Sequence, residues 1–486
     1  MKYILFLFVI SLSFLNSNAQ NLSIGQWREH LPYNKGKQVV DAGTKIYCAT
    51  DEGLFAFVKE DASIERFTKL NGLNDFGIST IAYHPEFNVL IIAYNNANID
   101  LMYNDRSVFN LPFIKDKDIT GLKNINNIYI KGKLAYLSCG FGIVVLDIER
   151  QEVKDTYFIG NNGSNRNVLD ITDDGNYIYA ATDSGLFSAL LSSPNLADYN
   201  YWNVILADTG NAGDFNMLTT FNGKVYLNYA KPNASTTSSD ELWVLDSTQW
   251  SKINLPEIPQ QPKRYRIKVQ NNALVIINDV SVSVFDQQLH RIGFYDNSLY
   301  VNAQMRDAVI ESNGIVWIAD HVKGLIKIEN NTLSSIITPG GPFSSFVGQI
   351  AIKDGRVWVA HGPKSTSWNP QDYPVDGFSL LKDDSWKTWN NNNTPSLNSN
   401  KFFSNMSIDI VPGQPEHIRI GSVTSGVLDY SDNSFTYYKT SNSTLDSAFG
   451  NPTQTIVHGI VHDDLGNLWV VNSGVKNILH VQYRER

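Results

Sequence analysis

Apolar and polar positions alternate along this chain in short runs broken by Asp, Asn and Gly, and no useful length of it repeats every three to four residues after the N-terminal segment. The pattern predicts strands from end to end. It is also repeated. Ile46-Tyr47-Cys48-Ala49-Thr50-Asp51-Glu52-Gly53-Leu54-Phe55 and Ile178-Tyr179-Ala180-Ala181-Thr182-Asp183-Ser184-Gly185-Leu186-Phe187 are identical or conservatively replaced at nearly every position. Weaker copies surround Tyr136, Trp317, Trp358 and Trp469, and degenerate ones surround Leu90, Tyr226, Val275 and Ile418. These ten markers are spaced 41 to 60 residues apart, a period that signals propeller blades or solenoid turns.

One unit parses into four short strands: Val168-Leu169-Asp170-Ile171, then residues 177–181, residues 186–190, and an outer aromatic strand near Tyr201-Trp202. Asp174-Gly175, Asn222-Gly223, Asn313-Gly314 and Asp354-Gly355 precede second strands and suit tight hairpins, which need φ > 0. Four-stranded units that bury their faces against neighbours predict an all-β β-propeller. A break in composition at Thr338-Pro339-Gly340-Gly341-Pro342 follows the seventh unit. The expected layout is therefore a seven-bladed ring over residues 20–342, followed by an incomplete second ring of about three blades over residues 343–486. Gln26-Trp27-Arg28-Glu29-His30-Leu31-Pro32 reads as an outer strand without its blade, close in pattern to residues 249–256. The tenth unit supplies three strands before Arg486, so the alternative is a single ring in which that orphan strand completes the tenth blade.

Composition adds compartment and excludes one class of partner. A chain of 486 residues with 42% hydrophobic content can bury more than one core. A formal charge of −9 with no Lys/Arg block argues against nucleic acid. Lys2, an apolar run over residues 3–15 and Ser17-Asn18-Ala19 read as a secretory signal occupying residues 1–19, so the mature protein is expected to be exported. No cysteine follows that site, which argues against a lipid anchor, and no later apolar run reaches the ~20 residues of a membrane helix. Cys48 and Cys139 sit in apolar strands two units apart, too far for a disulfide, and are expected to be buried free thiols.

Motifs for catalysis are lacking: there is no phosphate loop, no Gly-x-Ser-x-Gly elbow and no His-Glu-x-x-His. No cofactor is expected. His458 and His462, read on a strand, stand ~13 Å apart and cannot share one metal ion. Asp170-Ile171-Thr172-Asp173-Asp174-Gly175 has the opening of a calcium loop but carries Ala181 where the bidentate Glu belongs. Two departures from the repeat are the candidate ligand-binding residues, because a unit that breaks its own pattern can do so for function. One is Asn95, Asn96, Asn98 and Asp100, whose amides and carboxylate suit sugar hydroxyls or a saturated tight turn. The other is the insertion over residues 362–374, where Trp368 and Tyr373 suit carbohydrate stacking, a protein contact or loop packing.

His30-Leu31-Pro32-Tyr33, residues 45–57, Asn71-Gly72-Leu73, residues 93–101 (AYNNANIDL), residues 135–146 (AYLSCGFGIVVL) and residues 155–160 together resemble the PorZ family over most of residues 27–330. Those are β-propeller proteins of the type IX secretion system of Bacteroidetes. The resemblance implies a place in the periplasm or at the outer-membrane surface, in the attachment complex with a PorU-like sortase, a PorV-like barrel and a PorQ-like protein. It further implies binding of anionic lipopolysaccharide and its presentation to the sortase, a non-enzymatic role. The family carries two seven-bladed propellers and a C-terminal β-sandwich; on this expectation the present chain is an incomplete version, or its missing parts are supplied elsewhere. The rival readings are the ligand-binding propeller of a two-component sensor and a surface carbohydrate-active enzyme whose carboxylates come from different blades.

Overall fold

The computed structural model describes residue 25 and residues 27–207, 214–231, 240–246, 249–255, 263–362 and 374–484. The expected signal segment and the candidates Trp368 and Tyr373 lie outside these residues. The described chain forms ten antiparallel sheets, nine of four strands and a last one of three, each a meander of consecutive strands. Every marker residue of the sequence repeat falls in the second strand of a sheet, for example Tyr47 in Lys45–Thr50, Tyr179 in Tyr177–Thr182 and Trp358 in Arg356–His361. These second strands are apolar without alternation because both of their faces are covered: all six residues of Val89–Tyr94 and of Ala273–Asn278 are buried.

The turns follow from backbone chemistry. At Asn222-Gly223 and Asp354-Gly355 both residues have positive φ, as a type I′ hairpin demands. At Asp174-Gly175 and Asn313-Gly314 only the glycine does, and the carboxylate of Asp174 accepts from the amides of Asn176 and Tyr177 to hold the loop. The outer strand of the fourth sheet is Asn203–Ala207 rather than the expected Tyr201-Trp202. Tyr199–Tyr201 forms a 3-10 turn capped by Asp198, and Trp202 is buried with its Nε1 donating to the Leu196 carbonyl at 2.9 Å.

The first strands of sheets 1 to 7 are Gly36–Asp41, Ile78–His84, Ile125–Lys131, Val168–Asp173, Asp214–Phe221, Arg264–Gln270 and Met305–Ile310. Each packs against the next, and Met305–Ile310 packs back on Gly36–Asp41. Where sheet 7 meets sheet 1, Val309, Trp317, Ala319 and Leu325 share one core with Val39, Ile46, Cys48 and Phe55. Gly36 is required at that seam: a Cβ there would stand 2.2 Å from the Gly324 carbonyl oxygen. Sheets 8 to 10, which open with Val347–Lys353, Asn405–Ile410 and Ile456–His462, pack one on the next. Trp358, Phe378, Trp389 and Tyr430 fill the joint between sheets 8 and 9, with ring centroids 4.9 to 6.3 Å apart. Ile350 and Ile352 on sheet 8, and Val461 and Leu479 on sheet 10, are exposed.

The N-terminal segment departs from expectation. Residues 27–31 form no strand and do not pair with the third strand of sheet 10, Leu479–Gln482. Instead Arg28 binds Asp384 at 2.6 Å, and Trp386 donates to His30 Nδ1 at 3.1 Å, both on the outer edge of sheet 8. Leu31 and Tyr33 then pack into the core shared by sheets 1 and 7. Burial of those two side chains, with Pro32 between them lacking an N–H to donate, explains why the segment lies across this joint instead of joining a ladder. Gly341, in the sequence break, approaches the same segment so closely that a Cβ would sit 2.0 Å from the Leu31 carbonyl oxygen.

Candidate functional site

The first strand of a sheet has a neighbour on one side only, so its other edge leaves N–H and C=O groups that need partners. The sequence meets that need with side chains. Each of the ten first strands slips one residue in register against its second strand, as between Gly36 and Gln38, Val168 and Asp170, or Met305 and Asp307. Such a bulge twists the strand and re-aims the residue after it. Gln38 accepts from the Ile81 amide of sheet 2 at 2.9 Å, and Asp170 from the Leu218 amide of sheet 5 at 2.8 Å. Gln270 and Asp307 do the same for Ile310 and Val39, at 3.0 and 3.1 Å. In the later sheets Gln349 accepts from the Ile408 amide at 3.1 Å and Asp409 from the His462 amide at 2.6 Å. One acceptor on one sheet thus grips the backbone of the next.

The first strands of sheets 1 to 7 bound an axial cavity of about 490 Å³. Its lining includes Gln38, Asn127, Asp170, Thr172, Thr220, Arg266, Lys268, Gln270 and Asp307. Lys268 pairs with Asp307 at 2.6 Å; burial pushes the ammonium pKa down, and the Asp307 charge acts against that shift. Burial raises the Asp170 carboxyl, opposed by hydrogen bonds from the Leu218 amide, Asn127 and the Ile171 amide. Arg266 reaches from sheet 6 to sheet 3, where its Nη1 donates to Asn127 Oδ1 at 3.3 Å. Its Nε is buried without a hydrogen-bond partner. Lys37, the skipped residue of the first bulge, donates to the Ile78 carbonyl at 3.0 Å, and burial, with Asp51 opposing, lowers its pKa. Amides, hydroxyls and cations gathered on an axis are suited to holding a polar ligand.

The four candidates of the second unit lie elsewhere, in a hydrogen-bonded turn. Asp100 is fully buried and accepts from Tyr94 Oη at 2.6 Å, the Asn74 amide at 2.8 Å, Asn74 Nδ2 at 2.9 Å and Asn110 Nδ2 at 2.8 Å. Asn98 is buried; its Nδ2 donates to Asp75 at 3.4 Å and its Oδ1 accepts from Asn110 at 3.0 Å. Asn96 donates to Asp75 at 2.6 Å, and Lys115 to the same carboxylate at 2.9 Å. Burial would raise the Asp75 carboxyl, but the bonds from Asn96 and Lys115 outweigh it and hold the pKa below the usual value. Asn95 is exposed, and Ala97 turns the chain at φ +64°. The arrangement uses Asp100 and Asn98 to brace the turn, leaving Asn95 and part of Asn96 open to solvent.

The histidines of the last sheet diverge as strand geometry requires: His462 Nδ1 meets Asp409 at 2.9 Å, and His458 Nδ1 meets Ser473 Oγ at 2.8 Å. Cys48 and Cys139 are buried and unbonded to each other, and burial raises both thiol pKa values. Apart from Asp170 and Thr172, met only in a segment resembling the opening of a calcium loop, the channel residues escaped the sequence reading. A shared signal was a polar residue at the third position of the first strand, as at Gln38, Asp170 and Asp307, and at Gln349 in sheet 8.

Comparisons with known proteins agree with this architecture. Residues 46–203 match the family described as the N-terminal β-propeller domain of PorZ, and residues 208–412 match a domain of unknown function, DUF5074. No curated protein matches the chain in sequence. Among solved structures, PorZ of Porphyromonas gingivalis, a surface component of its type IX secretion system, superimposes with a TM-score of 0.78 at 21% identity. That match covers 94% of this chain and 59% of the PorZ chain, so the present chain spans less than two thirds of its relative. The extracellular domain of a hybrid two-component system from B. thetaiotaomicron gives a TM-score of 0.47 at 16% identity, covering 93% of this chain and 57% of that one. Streptogramin B lyase gives 0.46 at 12% identity, covering 63% and 95%. The fold is thus a PorZ-like β-propeller, with residues 46–203 matching the PorZ-family N-terminal propeller domain.

Proposed function

We propose that this chain is an accessory component of a type IX secretion system, acting in the cell envelope or at the outer-membrane surface as a scaffold without catalytic activity. The observation that carries this reading is the PorZ-family match at residues 46–203, supported by a superposition extending over 94% of the chain. In the finer form of the proposal, the chain binds anionic lipopolysaccharide and presents it to a PorU-like sortase beside PorV-like and PorQ-like proteins. Its seven first sheets, to residue 342, act as one domain and residues 343–486 as the start of a second. Asn95 and Asn96 remain candidates for a glycan contact, with Trp368 and Tyr373 beside them in the proposal. Among the described residues no helix is long and apolar enough to cross a membrane.

The test is affinity purification of the tagged chain from solubilised envelopes of its own cells, joined to a deletion strain. Enrichment of a sortase and a barrel protein, with secreted cargo left unmodified in the deletion strain, is expected. Normal cargo modification in the deletion strain, with no secretion protein enriched, overturns the proposal.

A further inference from the structure

We propose that the axial channel of the first seven sheets binds a small oxyanion, a carboxylate or phosphate group held in the fork of Arg266 with the charge of Lys37 assisting. The inference concerns a site within this chain and does not depend on the secretion reading.

Lys268 binds Asp307 at 2.6 Å and Arg306 binds Asp279 at 2.5 Å, while Arg264, whose Nε is also without a partner, makes two bonds of 3.0 Å, to Asn228 and to the Asp240 carbonyl. Arg266 has a single long bond to a neutral amide, and its Nε points into protein without an acceptor. A guanidinium carries five donors in a rigid plane that fits a carboxylate or phosphate two bonds at a time. Asp170 is the carboxylate whose field reaches Arg266, but its oxygens are already engaged by Asn127 and the amides of Ile171 and Leu218. Lys37 likewise spends its ammonium on a carbonyl oxygen and has no carboxylate at ion-pairing distance among the described residues. Arg266, short of an anionic partner in a polar cavity of about 490 Å³ and close enough to Lys37 for the two charges to repel, calls for a mobile anion. That volume is in the range of small-molecule sites, and admits a sugar phosphate as well as a bare ion.

Calorimetric titration of the purified chain with inorganic phosphate and with a hexose 1-phosphate tests the site. Saturable binding is expected for at least one of them. Arg266→Gln should weaken it by about tenfold or more, the worth of a lost charge-assisted bond, and Lys37→Gln by roughly threefold. Lys353→Gln, on an exposed strand of sheet 8, should leave it unchanged. If Arg266→Gln lowers the melting temperature too far to titrate, Arg266→Lys keeps the charge, loses the fork and should still weaken binding. Crystals soaked in selenate should show anomalous density beside the guanidinium. No saturable binding of either probe, unaltered affinity in the Arg266 variants, or selenate found only elsewhere overturns the proposal. Competition by purified lipopolysaccharide would identify a polymer-borne phosphate as the source, and its failure to compete a free metabolite.

Discussion

The carboxylate of Asp307 accepts a hydrogen bond from the backbone N–H of Val39 at 3.1 Å across 268 residues of chain, joining sheet 7 to sheet 1. The same carboxylate holds Lys268 of sheet 6 at 2.6 Å, so one side chain ties three consecutive sheets. Breaking a buried pair from one side leaves the other charge uncompensated. Asp307→Ala is therefore expected to destabilise the chain by about 2–3 kcal/mol, since Lys268 keeps access to the axial cavity, whereas the double replacement Asp307→Leu with Lys268→Met costs less. Urea denaturation of the two variants checks the difference; equal losses would show that the Val39 bond, not the stranded charge, dominates.

Gly36 sits at that seam for want of space. Gly36→Ala would push a methyl group against the Gly324 carbonyl and the Asp320 backbone, neither of which can rotate away. A loss of roughly 1–3 kcal/mol is expected, the usual cost of forcing an extra carbon into a packed site. Gly43→Ala is a poor control because its φ is +79°, so the comparison should be Gly459→Ala, where a Cβ finds ordinary contacts at 3.6 Å. Thermal midpoints of the two variants decide the matter.

Stability should also fall in mild acid through His361. Its imidazole is fully buried, and burial pushes its pKa down to about 4, opposed by Asp376 and the Phe346 backbone and reinforced by Lys35. Nε2 meets Ser379 Oγ at 2.7 Å, and neither this contact nor the Phe346 backbone offsets the loss of water around a protonated ring. The unfolded chain takes up this proton near pH 6.5 and the folded chain only near 4. Stability from this group is therefore complete above pH 6.5 and is lost as pH falls toward 4, by about 3 kcal/mol in all. Denaturation between pH 7 and pH 4 should show a shallower decline for His361→Gln than for the parent; parallel curves would exclude His361 as the source.

The proposed division near residue 342 predicts unequal resistance to protease. Val347, Ile350 and Ile352 of sheet 8 and Val461, Val471 and Leu479 of sheet 10 are apolar and exposed, and such faces favour local opening and association. Limited proteolysis of the purified chain is expected to degrade residues 343–486 first and to leave a resistant fragment ending near 342. Equal protection of both parts would count against two domains. Loss of the N-terminal segment should expose Trp386 and the core around Tyr33, and so weaken both parts at once.

The local grammar of this protein was written in the order of its residues. Ile-Tyr-x-Ala-Thr runs, Asp-Gly and Asn-Gly turns and buried aromatics specify a second strand and its hairpins from neighbours within ten residues, which is why all ten markers lie where the repeat put them. Asn95 to Asp100 was legible as a departure, and the turn that Ala97 and Asp100 build is itself a local affair. The channel was not legible. Whether Gln38, Asp170 or Asp307 faces solvent, a ligand or the next sheet depends on a one-residue bulge and on which strand stands beside it, a partner set by the closing of the sheets. Arg266 and Asn127 meet across 139 positions for the same reason. The N-terminal segment had the pattern of an outer strand, yet the burial of Leu31 and Tyr33 between sheets 1 and 7 outweighed any edge it could have paired with. Sequence determined the strands, because hydrogen-bonded ladders and turns are decided at short range; tertiary structure decided what those strands enclose, because an axis exists only once seven of them stand around it.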